Sequence, residues 1–237
     1  MPPGVSVIIP ALDEEAQVAA AVRSVRDHAE VIVVDGGSAD RTCEVAAAAG
    51  ARVLRSPRGR GSQMDAGARE ARGEWIVLLH ADTWLDAGWA DALRALPADV
   101  VGGAFRFAVD SPRPAYRVLE RGVATRCRLF HLPYGDQGIF ARRRTYEEVG
   151  GIPHLPLMED VAFVRRLRRA GRLAFPAVRA LTSPRRWERQ GVAVTTLKNL
   201  SLVAWYALGA SPERLARVYE GRPRPESPRR EEGEALS

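Results

Sequence analysis

Val31-Ile32-Val33-Val34-Asp35-Gly36-Gly37-Ser38-Ala39-Asp40 joins an unbroken β-branched run to a carboxylate and a glycine pair. A run that does not alternate apolar with polar belongs to a strand buried on both faces, as in a parallel sheet covered by helices. Asp35 then ends the strand, and Ser38 has the chemistry to cap a following helix. Gly36 and Gly37 let the backbone approach a ligand closely, and a carboxylate there can accept from a base N–H. A plainer reading, an Asp-Gly turn with a helix cap, remains open at this level.

The flanking sequence repeats the strand-then-helix order. Upstream, Val5–Pro10 is a short apolar run, and Glu14–Arg26 places Val18, Ala21, Val22 and Val25 on one helical face. Downstream, Arg41–Ala49 is an alanine-rich helix stopped by Gly50, and Arg52–Leu54 is a short strand. Gly61–Arg72 is a helix closed by Gly73, and Trp75–Leu79 is a fourth apolar run. This alternation predicts βαβ units and an α/β fold with a mostly parallel central sheet flanked by helices. After residue 100 the expected strands are Val100–Val109, Gly138–Ala141 and Arg172–Leu181. The expected helices are Tyr116–Leu129, Leu157–Arg169, Val192–Leu208 and Pro212–Tyr219. From Gly221 onward the chain is Arg, Pro and Glu with almost nothing to bury, which predicts a disordered charged tail over 221–237. The expected organisation is one domain over 1–220, with a nucleotide-binding half up to about residue 100 and an acceptor-binding half over 101–220.

The chain has 237 residues, enough to bury one sizeable core. Its two cysteines, Cys43 and Cys127, argue against a disulfide framework and fit a reducing compartment. No Cys/His cluster has zinc-ligand spacing. Met1-Pro2-Pro3-Gly4 runs straight into a strand-length apolar segment, so no secretory signal is read and a cytoplasmic location is expected. The net charge of +6 is carried almost entirely by arginine, because Lys198 is the only lysine. Such a bias fits coding composition as well as an anionic partner. A nucleoside diphosphate or an anionic membrane face would satisfy it, and nucleic acid is not required.

In open parallel sheets, ligands sit beyond the strand C-termini. Here those ends read Pro10-Ala11-Leu12-Asp13-Glu14, Asp35-Gly36-Gly37-Ser38 and His80-Ala81-Asp82-Thr83, each with a carboxylate. His80 and Asp82 would share a face on extended backbone and could hold Mn²⁺ or Mg²⁺ against a diphosphate. Arg58-Gly59-Arg60-Gly61-Ser62 enters a helix and suits phosphate, through backbone N–H groups and guanidinium charge. Glu159-Asp160 opens an amphipathic helix, either to complement its dipole or to supply a general base. Asp136 and Gln137 could bind sugar hydroxyls, and Arg185-Arg186-Trp187 could bind diphosphate and cover a ring. The helix Val192–Leu208 is too short and too polar to span a bilayer. Packing on the sheet and shallow docking on an anionic membrane both fit it, and the second would suit a lipid-linked acceptor.

In this order the pieces resemble a family 2 glycosyltransferase of the GT-A type. The carriers are Val7-Ile8-Ile9-Pro10 with Glu14, Val33–Asp40, the loop around Gly59–Gly67, Ala81-Asp82-Thr83, Gly102-Gly103, Glu159-Asp160 and Arg186-Trp187. Leu79–Thr83 and Gly135–Phe140 are similar to strings of a small bacterial branch associated with radical-SAM and selenium-related domains. The resemblance implies a Rossmann-like GT-A sheet, a nucleotide-sugar donor and a hydroxyl acceptor. It implies donor contacts at Pro10, Ala11, Glu14, Asp35, Gly37, Arg58, Asp65, Ala81, Asp82, Arg186 and Trp187, with Asp35 on the uracil edge. It further implies acceptor contacts at Gly103, Asp136 and Gln137, metal ligation by Asp82 with His80, and Asp160 as catalytic base beside Glu159.

Three positions depart from the family pattern. His80 stands where the wider family has Asp, which leaves metal choice open. Asp13 replaces a common asparagine. Ser183 stands where processive synthases have glutamine and, without long membrane segments, a single non-processive transfer is the expectation. Two competing functions remain: a nucleotide-sugar-binding protein with a degenerate site, and a sugar-phosphate nucleotidyltransferase. The latter needs a glycine-rich basic loop after the first strand, where Pro10–Glu15 sits instead.

Overall fold

The computed structural model describes residues 4–220, so the tail over 221–237 lies outside the described residues. The first elements are β1 (Val5–Ala11), α1 (Val18–Val25), β2 (Glu30–Asp35), α2 (Thr42–Ala48), β3 (Arg52–Arg55), α3 (Arg60–Glu70) and β4 (Trp75–Leu78). Next come β5 (Thr83–Leu85), α4 (Trp89–Arg94), β6 (Val100–Ala104), β7 (Arg106–Val109), α5 (Pro114–Phe130) and a 3-10 turn at Gly135–Gln137. The rest is β8 (Ile139–Arg142), α6 (Arg143–Glu148), α7 (Glu159–Ala170), β9 (Arg172–Ala174), β10 (Arg179–Thr182), α8 (Arg185–Gln190), α9 (Val192–Ala207) and α10 (Pro212–Glu220).

Seven strands form a sheet in the order β3-β2-β1-β4-β8-β6-β9. β1, β2, β3 and β4 pair parallel, and β8 runs antiparallel between β4 and β6. The unbroken apolar runs are explained by two core layers. Val7, Ile9, Val31 and Val33 join Val18, Val22 and Val25 of α1 on one face. Ile8, Ile32 and Val34 join Met64 and Ala68 of α3 on the other. Each such Val or Ile contributes about 1.5–3 kcal/mol relative to staying in water, so both faces select apolar residues.

Two expected strands are each split in two. Val100–Val109 becomes β6 in the large sheet and β7 in a second, three-stranded sheet ordered β5-β10-β7. The chain pivots at the fully buried Phe105, whose N–H donates to Gln137 O at 3.0 Å. Arg172–Leu181 likewise becomes β9 and β10, with Pro176 between them unable to donate to a ladder. The helix expected from Glu14 begins only at Val18; ahead of it the N–H groups of Glu14 and Glu15 are tied to Thr42 Oγ1 at 2.7 Å and Asp40 Oδ2 at 3.1 Å. The small sheet matters for function. β10 pairs antiparallel with β5 in the register Thr182↔Thr83, so Ser183 N–H reaches Asp82 O at 2.9 Å. That pairing carries residues 185 and 186 back to the end of β4.

Gly103, expected at an acceptor site, is a packing residue inside the sheet. A Cβ there would lie 1.8 Å from Ala174 O and 2.8 Å from Phe140 Cζ. Gly103→Ala should therefore cost about 3 kcal/mol through overpacking, read as a lowered urea midpoint with an unchanged m-value. A midpoint within error of the parent would contradict this tight β6–β9 contact.

Candidate active site

Two clefts meet at the C-terminal edge of the parallel strands. The first takes Pro10 and Ala11 from the end of β1 and Glu14 just beyond it. Arg58 and Arg60 close one side, His80, Ala81 and Asp82 another, and Arg186 reaches over. The second is lined by Tyr134, Gly135, Asp136 and Asp160, and shares Arg60, His80 and Arg186 with the first. His80 and Asp82 were expected on extended backbone. They sit on a turn instead, closed by Thr83 N–H to His80 O at 3.1 Å, and both still face the first cleft.

Asp160 stands in the first turn of α7, whose start is set by Met158 in the left-handed region at φ 68°. Its Oδ2 accepts from Gly135 N–H at 2.7 Å and its Oδ1 from Val161 N–H at 2.7 Å. These donors fix the carboxylate's direction. Gly135 allows the approach, since a Cβ there would lie 2.7 Å from His80 Nε2 and 3.2 Å from Asp160 Oδ2. His80 Nε2 is buried without a hydrogen-bond partner among the described residues. Burial, with Arg60 nearby, pushes the His80 pKa down to about 4, so the ring is neutral at physiological pH and one ring nitrogen keeps a lone pair.

Charge pairs order the remaining groups. Arg185 binds the Glu14 carboxylate and lies 3.5 Å from Asp82 Oδ2. Burial raises the Glu14 pKa against the opposing pull of Arg185. Arg60 is paired with the fully buried Glu159. Burial works against the Arg60 charge, but Glu159 and Asp160 outweigh it and keep the guanidinium ionised. Arg186 is exposed and makes no ion pair among the described residues, so its donors are available to an anion.

Several expected site residues are engaged elsewhere. Asp35 does not line the first cleft. Its carboxylate accepts from Gly37 N–H at 3.0 Å and from the N–H and hydroxyl of Ser38. Burial alone would raise its pKa, but these bonds hold it below the usual carboxylate range. Gly37, at φ 95°, serves this turn. Asp65 faces away from both clefts and accepts from Tyr146 at 3.2 Å, from Arg69 at 2.8 Å and from the His154 ring at 3.0 Å. Glu159 is spent on Arg60 and positions it. Gln137 is buried and bonds Tyr134 N–H, Arg126 and Phe105 O, clamping the 3-10 turn. Trp187 packs with Phe107, Val109 and Tyr116 and covers no part of the first cleft.

Gln63, Tyr134 and Asn199 carry no signal of this site in their residue types, and Arg185, expected with Arg186 to bind diphosphate, is paired with Glu14 instead. Gln63 Nε2 ties Ala11 O to Val34 O at 2.8 and 2.7 Å, holding the ends of β1 and β2 together. Only the fold brings Asn199 of α9 to this site.

Asp136 is the acceptor-side residue that the fold does bring to the site, between Tyr134 and Asp160. Its Oδ1 is buried with no partner among the described residues, and burial pushes its pKa up to about 6 against Arg126 and Arg186. Between the ordinary 3.8 and about 6 the folded chain keeps a proton that the unfolded chain has lost. Stability therefore falls as pH rises through that window, and the cost is complete above it. Asp136→Asn avoids the cost. Its melting temperature should match the parent near pH 4 and exceed it by about 3–6 °C at pH 7.5. A difference that stays constant between the two pH values would contradict this.

A mostly parallel sheet with interleaved carboxylates and arginines at its C-terminal edge, followed by a β5-β10-β7 ribbon, defines a GT-A glycosyltransferase architecture. The chain belongs to glycosyl transferase family 2, whose model matches residues 6–162. Uncharacterised glycosyltransferases of Mycobacterium tuberculosis and Mycobacterium bovis are each 38% identical to it over 85 residues, 35% of this chain. That match spans 39% of the length of those relatives. Among solved structures, S. aureus TarS superposes with a TM-score of 0.60 at 17% identity, over 78% of this chain and 37% of its own. Glucosyl-3-phosphoglycerate synthase from Mycobacterium tuberculosis, solved with Mg²⁺ and uridine diphosphate, gives 0.54 at 20% identity, over 75% and 69%. These structural likenesses are to the fold.

Proposed function

We propose that this chain moves a sugar, of hexosyl type, from a nucleoside-diphosphate donor to a hydroxyl acceptor in one non-processive transfer, with inversion at the anomeric carbon. The observation that carries this reading is the junction of the two clefts. Arg58, Arg60, Asp82 and Arg186 surround one space, Asp160 and Asp136 the next, and His80 lies on both. Apart from Arg186 the donor side is drawn from the first half of the chain, and apart from Arg60 and His80 the acceptor side from the second.

The chain's residues divide the work. Arg186, with Arg58 and Arg60, neutralises charge on the diphosphate as its bond to the sugar breaks. Asp160, oriented by two backbone N–H groups, takes the proton of the acceptor hydroxyl from the side opposite the leaving group, which yields inversion. Asp136 binds the acceptor. Uridine as the nucleotide is supported by the complexes of glucosyl-3-phosphoglycerate synthase with uridine diphosphate and Mg²⁺ or Mn²⁺.

A divalent ion fits this site in part. Among the described residues no three His, Cys, Asp or Glu side chains cluster as a ready-made cage. Asp82 and the unpartnered, neutral His80 would be the protein ligands for Mn²⁺ or Mg²⁺, with donor oxygens and water completing the shell. When bound, the ion would add positive charge against the diphosphate. The incomplete ligand set also favours one competing reading, a nucleotide-sugar-binding protein with a degenerate site.

A thermal-shift screen of nucleotide-sugars, with and without Mn²⁺, tests the proposal. A donor at a hundred times its dissociation constant stabilises the fold by about 2.7 kcal/mol, or about 5–10 °C for a chain of this size. If no nucleotide-sugar shifts the melting temperature in either condition, the proposal fails. Binding without turnover toward any hydroxyl acceptor would favour the degenerate-site reading.

A further inference from the structure

A third cavity runs between α5 and α9. Val118, Leu119 and Val123 of α5 form one wall, Leu200 of α9 the other, and Phe107 and Trp187 the floor. Its inner end is formed by Tyr134, Asp136 and Asn199, which also line the cleft that contains Asp160. The cavity is thus a side channel of the active site, mainly apolar along its length and polar where it meets the catalytic cleft. The mouth is apolar as well: Val118 is 68% exposed and Leu200 49%.

Nothing in the fold requires this opening. α9 is already anchored on its other side, where Leu202 packs with Leu157, Met158 and Val161 near the start of α7. Among residues 221–237 only Ala235 and Leu236 are aliphatic, so that segment has little with which to fill an apolar channel. At the inner end, Asp136 Oδ1 has no donor among the described residues. A ligand fitting both ends needs a hydrocarbon tail and a hydroxyl-bearing head.

We infer that this groove holds the hydrocarbon chain of an amphipathic acceptor, with the head held at Asp136 and Asn199 beside Asp160. The role given to the head rests on the proposed transfer reaction; the groove's selection of a hydrocarbon chain does not. No helix among the described residues is long and apolar enough to cross a membrane, so the acceptor's tail would be drawn from its own phase into the protein.

The test uses octyl, decyl and dodecyl maltosides below their micelle concentrations, with maltose as the head-only control. Binding is followed by calorimetry and by tryptophan fluorescence. Each methylene buried should tighten binding about fourfold, so affinity climbs from octyl to dodecyl while maltose alone binds at least about a hundredfold more weakly than dodecyl maltoside. Gly122→Leu is the blocking variant. Gly122 lines the groove, and a Cβ there meets nothing within 4 Å. Leucine is also a better helix former than glycine, so α5 is not endangered. This variant should lose at least tenfold in dodecyl maltoside affinity and keep the parent's nucleotide-sugar thermal shift. Equal binding of the parent and Gly122→Leu, or no dependence on chain length, overturns the inference. So does a dimer in sedimentation that Gly122→Leu disperses and that excludes the maltosides, because the groove would then be a self-interface. Chain-length-dependent binding without any nucleotide-sugar shift keeps the groove and removes the transfer reading; the reverse pattern removes the groove alone.

Discussion

Asp160→Asn should lower sugar transfer about a thousandfold while donor affinity stays within about a factor of two of the parent. The carboxylate is held at 2.7 Å from the N–H groups of both Gly135 and Val161, one on each oxygen. Asparagine is nearly isosteric and keeps one of those bonds, so the start of α7 is retained. It has no basic oxygen to take a proton from the acceptor. Asp160 does not line the cleft formed by Arg58, Asp82 and Arg186, so the donor should not sense the change. Equilibrium titration of donor combined with single-turnover transfer separates the two effects, because a base acting only in the transition state lowers kcat and kcat/KM together. Turnover near that of the parent would remove Asp160 from the mechanism.

The second large effect is expected at Asp82, the carboxylate on the donor side of the junction. Asp82→Ala should weaken donor binding by about a hundredfold in Mn²⁺ and change it little in EDTA. Loss of even an outer partner of a metal ligand costs about 10–100-fold, and Asp82 is the only carboxylate proposed here as a direct ligand. The fold should survive the change. Arg185 keeps its pairing with Glu14, and the backbone bond from Ser183 N–H to Asp82 O does not depend on the side chain. An unchanged manganese titration would show that the arginines alone hold the diphosphate. The Asp82→Ala and Asp160→Asn effects should remain separable, because one acts on donor binding and the other on the chemical step.

The parts of the fold legible in the sequence are those set by local periodicity. The runs in β1, β2 and β4 announce strands covered on both faces, and the helices between them show their buried stripes. Misreadings arose where a strand changes sheets. Val100–Val109 and Arg172–Leu181 look continuous because periodicity does not register that Phe105 and the segment around Pro176 pass from one sheet to another. The same limit applied to the site. Glu159, Asp65 and Gln137 have the residue types expected of a sugar-nucleotide enzyme, yet each is satisfied by a neighbour distant in sequence. Arg60 and Glu159, for example, are separated by 99 positions.

By itself, the sequence determined that parallel strands would end in carboxylates along one edge, since strand burial and the turn chemistry of Asp, Gly and Ser act over a few residues. Which of those carboxylates stay available was decided only in three dimensions. Asp35 is consumed by its own turn, Asp65 by Tyr146 and His154, and Glu159 by Arg60. Asp82 and Asp136 come to neighbouring walls because β4 pairs with β8 in the register Leu78↔Ile139, and Asp160 joins them through the bond it accepts from Gly135 N–H. A carboxylate's chemistry depends on the donors around it, and those donors are gathered by long-range pairing rather than by neighbours in the chain.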